Sequence, residues 1–155
     1  MTTEEYLNSI QTYEKRIEIK TMELCRLKTM SNNVRKSNLD ERVQNNTQSK
    51  DSVGDAVAKI IDLEKNVDSV VDDFIRKRNE IIKKLDGIKN VQYYQVLSLK
   101  YINNKTYKEI AELLGCSIMQ INRIRQKAIL EFEKMYGNDY IDIEKDLIRT
   151  YNPPL

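Results

Sequence analysis

Residues 106–125 read TYKEIAELLGCSIMQINRIR, and this stretch decides the fold. Thr106 stands three residues ahead of Glu109, and Ser117 three ahead of Gln120, which is the capping-box spacing at two successive helix starts. Between them Tyr107, Ile110, Ala111 and Leu114 recur at the spacing of one helix face. Gly115 and Cys116 then supply a tight turn, and Ile121, Ile124, Ala128 and Phe132 form the inner face of a longer helix expected to end at Gly137. Each residue type has a physical reason. Ala111 is small where two helices must approach, Gly115 can take the positive φ of a short turn, and Ile121 and Ile124 lock the angle between the helices. The pattern predicts a helix-turn-helix.

Upstream, Val91–Ile102 predicts an amphipathic helix with Val91, Tyr94, Leu97, Leu99 and Tyr101 as its apolar or aromatic members, broken by Asn103, Asn104 and Lys105. Further upstream, Thr2 and Glu5 make another capping box, and Tyr6, Ile10, Tyr13, Ile17, Leu24 and Leu27 alternate at four and three residues, so a helix is expected from about 3 to 30. Ser31 to Lys50 loses the pattern and predicts a solvated connection with at most one helical turn near Asp40. A second long helix is expected from Ser52, capped with Asp55 and closed by Gly87. Its seam is Val53, Ala56, Ile60, Leu63, Val67, Val70, Phe74, Ile81 and Ile88, with Lys77 and Lys84 as polar members, and Val57, Val71 and Leu85 widen it. The basic cluster of Arg76, Lys77, Arg78, Lys83 and Lys84 follows an acidic first half of the same helix, so it is read as dipole patterning.

Composition agrees. Among 155 residues there are four glycines and two prolines, the latter at Pro153 and Pro154, too little punctuation for a sandwich or barrel. The predicted class is all-α: an N-terminal antiparallel pair of long, coiled-coil-like helices followed by a C-terminal helix-turn-helix domain. The corresponding organisation is 1–88 as a helical hairpin and oligomerisation region, with its linker at about 31–51, then 89–137 as the DNA-binding domain and 138–155 as a tail. In the tail, Tyr140, Ile141, Ile143, Leu147 and Ile148 predict an amphipathic helix docking back on the domain.

Histidine and tryptophan are absent, which excludes His-based acid–base or nucleophilic catalysis and ordinary His/Cys zinc sites. No nucleophile, base and orienting group stand at recognisable spacings, so the chain is not expected to be an enzyme and no metal or cofactor is expected. Cys25 and Cys116 with a polar, acidic amino terminus predict a reduced cytoplasmic setting, and no apolar run is long enough for a membrane span.

The net charge of +2 is unevenly spread: residues 1–90 carry +1, 91–136 carry +3 and 137–155 carry −2. No acidic residue stands between Leu113 and Leu130, while Arg123, Arg125 and Lys127 fall inside that window, a local basic face suited to a polyanion. With the second helix of the motif in a DNA major groove, its outward side is Met119, Gln120, Asn122, Arg123, Gln126 and Lys127. Arg123 is the candidate for guanine and Gln120 and Asn122 are candidates for adenine, with Gln126 also on the base-facing side. Lys105, Thr106, Lys108, Ser117, Arg125 and Lys127 are placed for phosphates.

Residues 94–130, YQVLSLKYINNKTYKEIAELLGCSIMQINRIRQKAIL, resemble region 4, the C-terminal domain of bacterial sigma factors. The layout as a whole resembles small phage and prophage transcription regulators built on such a region. The resemblance implies binding to double-stranded promoter DNA together with host RNA polymerase to switch on late genes, with Ser117 capping the recognition helix and Gln120, Asn122, Arg123 and Gln126 facing DNA. The end of that helix, Ala128 to Glu133, is less basic than the sigma pattern, and an accessory regulator is expected in place of a self-sufficient sigma factor. A homodimer through the N-terminal helices would present two reading domains. The alternatives are the DNA-recognition subunit of a packaging machine, of small-terminase type, and a helical interaction protein that binds no DNA.

Overall fold

The computed structural model describes the backbone of residues 1–40 and 49–151, and the side chains of 1–33, 36 and 53–140. It is all-α, with no strand among the described residues. The order is α1 (Thr3–Asp40), α2 (Ser49–Leu85), α3 (Val91–Leu97) running into a π-helical turn (Ser98–Ile102), α4 (Tyr107–Leu114) and α5 (Ile118–Tyr151). Among the described residues no helix is long and apolar enough to cross a membrane.

Three helix limits differ from the sequence reading. The first helix continues past residue 30 to Asp40, and the second begins at Ser49, ahead of Ser52. Residues 31–40 hold no glycine or proline, and polar composition argues against burial without interrupting the i to i−4 ladder. The rest of the expected connection, 41–48, lies outside the described residues. At the other end, α5 passes through Gly137 to Tyr151. A glycine inside a helix costs only about 1 kcal/mol, and burial of Tyr140 one turn later favours continuing the helix.

By internal packing the chain divides into two units, one of Met1–Thr12 with Ile75–Leu155 and one of Tyr13–Phe74. In the first, the start of α1 is an integral part of the C-terminal core. Tyr6, Leu7 and Ile10 of α1 are buried, as are Ile81 and Leu85 of α2, Val96, Leu97 and Tyr101 around α3, and Phe132 and Tyr140 of α5. Tyr6 stacks on Tyr140 with centroids 4.5 Å apart, and Phe132 lies 6.2 Å from Tyr6. The Thr3 and Tyr140 hydroxyls hydrogen-bond at 2.8 Å inside this cluster. Thus the C-terminal docking expected of the tail is present at Tyr140, while Ile141, Ile143, Leu147 and Ile148 have side chains outside the described set. Lys84 sits 4.9 Å above the Tyr6 ring and pairs with Asp139 at 3.1 Å and Glu80 at 3.4 Å. The Tyr6 hydroxyl donates to Glu80, and burial, reinforced by that bond, pushes the phenol up to about 12.

Gly87 follows α2 but is no left-handed cap: Gly115 is the only described glycine with positive φ. What Gly87 supplies is room. A Cβ there would stand 2.2 Å from the Tyr136 hydroxyl oxygen of α5. The segment expected as one amphipathic helix over 91–102 is also modified. Val91 and Tyr94 are exposed, while Val96, Leu97 and Tyr101 are buried. The wide turn, closed by the Asn103 N–H donating to the Ser98 carbonyl at 3.1 Å, keeps Leu97 and Tyr101 on the inner side together.

In the second unit, the seam residues Tyr13, Ile17, Leu24 and Leu27 of α1 and Val53, Ala56, Ile60, Leu63, Val67, Val70 and Phe74 of α2 are all half-buried. Lys28 and Glu64 form an ion pair at 2.6 Å across the same unit. No described side chain between Tyr13 and Phe74 is fully buried.

Candidate nucleic-acid interface

The site is built on two capped helices joined through a left-handed glycine, with a second left-handed residue, Asn104 (φ 52°), just ahead of the first cap. Thr106 adopts φ −72°, ψ 158°, and its hydroxyl accepts the Glu109 N–H at 3.2 Å while the Glu109 carboxylate accepts the Thr106 N–H at 2.7 Å. That reciprocal bond from the Thr106 backbone holds the Glu109 carboxyl below its usual range. The α4 helix ends at Gly115, with φ 65° and ψ 32°, and the Cys116 N–H donates to the Ala111 carbonyl at 3.0 Å. A Cβ at Gly115 would meet nothing within 4 Å, so φ alone requires glycine there. At the start of α5 the Gln120 N–H donates to the Ser117 hydroxyl at 3.2 Å, and Gln120 Oε1 accepts the Ser117 N–H at 3.0 Å. Val96, Ile110, Ala111 and Ile121 form the core that fixes the two helices, with Leu99, Tyr107, Leu114, Cys116 and Ile124 packed against it.

This frame sorts the candidate residues. Arg123, Gln126 and Lys127 are exposed on α5, and Asn122 is half-buried. Gln120 is exposed, but its amide oxygen is taken by the cap, which leaves only the amide NH2 free to donate. Thr106 and Ser117 are likewise exposed with their hydroxyls engaged in caps, Lys108 is exposed, and Lys105 pairs with Glu109 at 3.8 Å. Arg125, grouped with the phosphate contacts on sequence, points into the protein. Its side chain is 17% exposed, Nη1 donates to Glu4 at 2.8 Å and to the Tyr101 hydroxyl at 3.4 Å, and the guanidinium lies 5.6 Å over the Tyr107 ring. Burial works against that charge, but the Tyr101 and Glu4 bonds more than offset it and the pKa is raised.

Two features escaped the sequence reading. Glu4 belongs to the support of this site although it lies 121 residues from Arg125, and no local pattern could have paired them. Leu113 at the end of α4 and Ile118 at the start of α5 are exposed large apolar side chains, next to Met119, which is exposed as its outward position in the sequence predicts. Helical spacing assigns the inner positions to other residues, and that subtraction was the available signal for Leu113 and Ile118.

No curated protein matches the chain, and no solved structure does. A family model described as "Protein of unknown function (DUF1492)" matches residues 33–133. The match runs from the end of α1 through α2, α3 and α4 into α5 and includes every candidate site residue, while Glu4, Tyr6 and Tyr140 fall outside it.

Proposed function

We propose that this chain, which belongs to the DUF1492 family, is a sequence-specific DNA-binding transcription regulator whose α4, Gly115 turn and α5 act as a helix-turn-helix of sigma region 4 type. The observation that carries the reading is the exposed, acid-free face of α5 directly behind a left-handed glycine turn, displaying Arg123, Gln126 and Lys127. Helices presented this way enter the major groove by their first turns. Arg123 then donates a fork to guanine, Asn122 and Gln126 read neighbouring bases, and Gln120 donates through its amide NH2. Lys105, Lys108 and Lys127, with the backbone at the starts of α4 and α5, hold phosphates and set register. Arg125 holds the fold from inside. A second copy joined through the Tyr13–Phe74 unit, where half-buried apolar seams remain, doubles the reading heads and raises avidity. The regulator acts as a phage-type late-gene activator alongside bacterial RNA polymerase.

The test is fluorescence anisotropy of the full chain with duplexes from its own genetic neighbourhood, over a salt series. A specific duplex binds, its affinity falls linearly on a log–log plot against salt, and Arg123→Ala weakens the preference for that duplex by about 1 to 3 kcal/mol. Equal, salt-insensitive affinity for all duplexes refutes the reading, and unchanged start-site selection in transcription with host polymerase refutes the activator role.

A further inference from the structure

We infer that Met119 and Ile118, in the first turn of α5, read the 5-methyl group of thymine, so that the preferred duplex carries thymine beneath the start of that helix. The inference rests on the DNA-binding reading of the same face. Met119 is 66% exposed and Ile118 48%, and Leu113 on the preceding helix is 61% exposed, whereas Ile110 and Ile121 beside them are wholly buried. A lone exposed apolar side chain needs no explanation; three within the seven residues that join α4 to α5 call for one.

The surroundings of the patch identify its partner. No carboxylate occurs between Leu113 and Leu130. Arg123 stands one turn beyond Met119 with Nη2 3.8 Å from the methionine sulfur, so the apolar and the cationic side chains share one surface. A protein surface that matched the apolar patch would have to bury these cations, whereas a duplex accepts both. In the major groove the phosphates flank base edges whose one apolar group is the thymine methyl. The polar readers at this end of α5 are also fewer than the sequence suggests, because the Gln120 oxygen is committed to the Ser117 cap and Asn122 is half-buried. Apolar contact therefore carries much of the discrimination where α5 begins.

The experiment selects a duplex from a random pool with the full chain and replaces each thymine in turn by deoxyuridine, which keeps the base pair and removes only the methyl. Burial of one methyl corresponds to about fourfold in affinity. Replacement at one or two thymines weakens binding by that factor. Met119→Ala, or Ile118→Ala for the second methyl, weakens binding to the thymine duplex but leaves the deoxyuridine duplex unaffected. The variants melt like the parent, since both side chains are exposed. Equal losses on both duplexes, no loss in either variant, or no thymine whose replacement is felt overturns the inference while DNA binding stands. If no duplex is enriched at all, the DNA-binding reading falls and this inference falls with it.

Discussion

Replacing Gly87 by alanine tests whether the junction after α2 is shaped by backbone conformation or by the ring of Tyr136. Gly87 does not have a positive φ, so alanine at an ordinary φ would by itself stabilise the protein by about 0.4 to 1 kcal/mol through the unfolded chain. The new Cβ, however, would stand 2.2 Å from the Tyr136 hydroxyl oxygen, 3.5 Å from its Cζ and 3.2 Å from the Lys84 carbonyl. Overpacking of this kind costs roughly 1 to 3 kcal/mol, so the net expectation for Gly87→Ala is a loss of about 1 to 2 kcal/mol. Tyr136→Phe removes the clashing oxygen and leaves the ring carbon at ordinary contact distance. Alone it is nearly neutral; combined with Gly87→Ala it recovers most of the loss, with a small remainder from the Lys84 carbonyl. The four proteins of the double-mutant cycle are compared by urea denaturation followed by circular dichroism. Strict additivity, with Tyr136→Phe having the same effect in both backgrounds, would refute the steric account.

Three further outcomes follow from the geometry. Gly115→Ala forces a Cβ into the left-handed region without any clash, so it lowers stability by about 1 to 2 kcal/mol, measured by urea denaturation, and Gly115→Asn by less; a neutral alanine variant contradicts the φ of this turn. Arg125→Ala removes charged hydrogen bonds to Glu4 and Tyr101 and lowers stability by roughly 1.5 to 3 kcal/mol, while the salt slope of DNA binding stays as in the parent; a slope reduced by about one would make Arg125 a phosphate contact. The Tyr6 phenol is raised from 10.0 to about 12, chiefly by burial, so its contribution is fully present below pH 10 and is lost as pH rises through about 12. Melting temperatures across that window fall less steeply for Tyr6→Phe than for the parent, and identical slopes refute the assignment.

Much of the candidate site was legible in the chain itself, because its determinants act within one helical turn. The Thr106–Glu109 and Ser117–Gln120 boxes, the left-handed Gly115 and the inward Ile110, Ala111 and Ile121 all depend on neighbours three to six residues away. Helix limits were less legible. Nothing local stops α1 at residue 30, and the weak intrinsic cost of Gly137 inside a helix is exceeded by the packing of Tyr140.

The sequence alone determined that this is an all-α chain with a glycine-hinged pair of capped helices and an acid-free outer face, since capping, φ preference and periodicity are short-range properties of the backbone. Only the tertiary structure decided which cations are free. Arg123 and Arg125 are two residues apart and indistinguishable by composition, yet one faces solvent and the other is clamped between Glu4 and Tyr101. The same holds for Thr3 meeting Tyr140 and Gly87 making room for Tyr136. Such pairings arise when distant segments close a common core, and the energy that selects them is shared among many buried side chains, so no short window of sequence carries it.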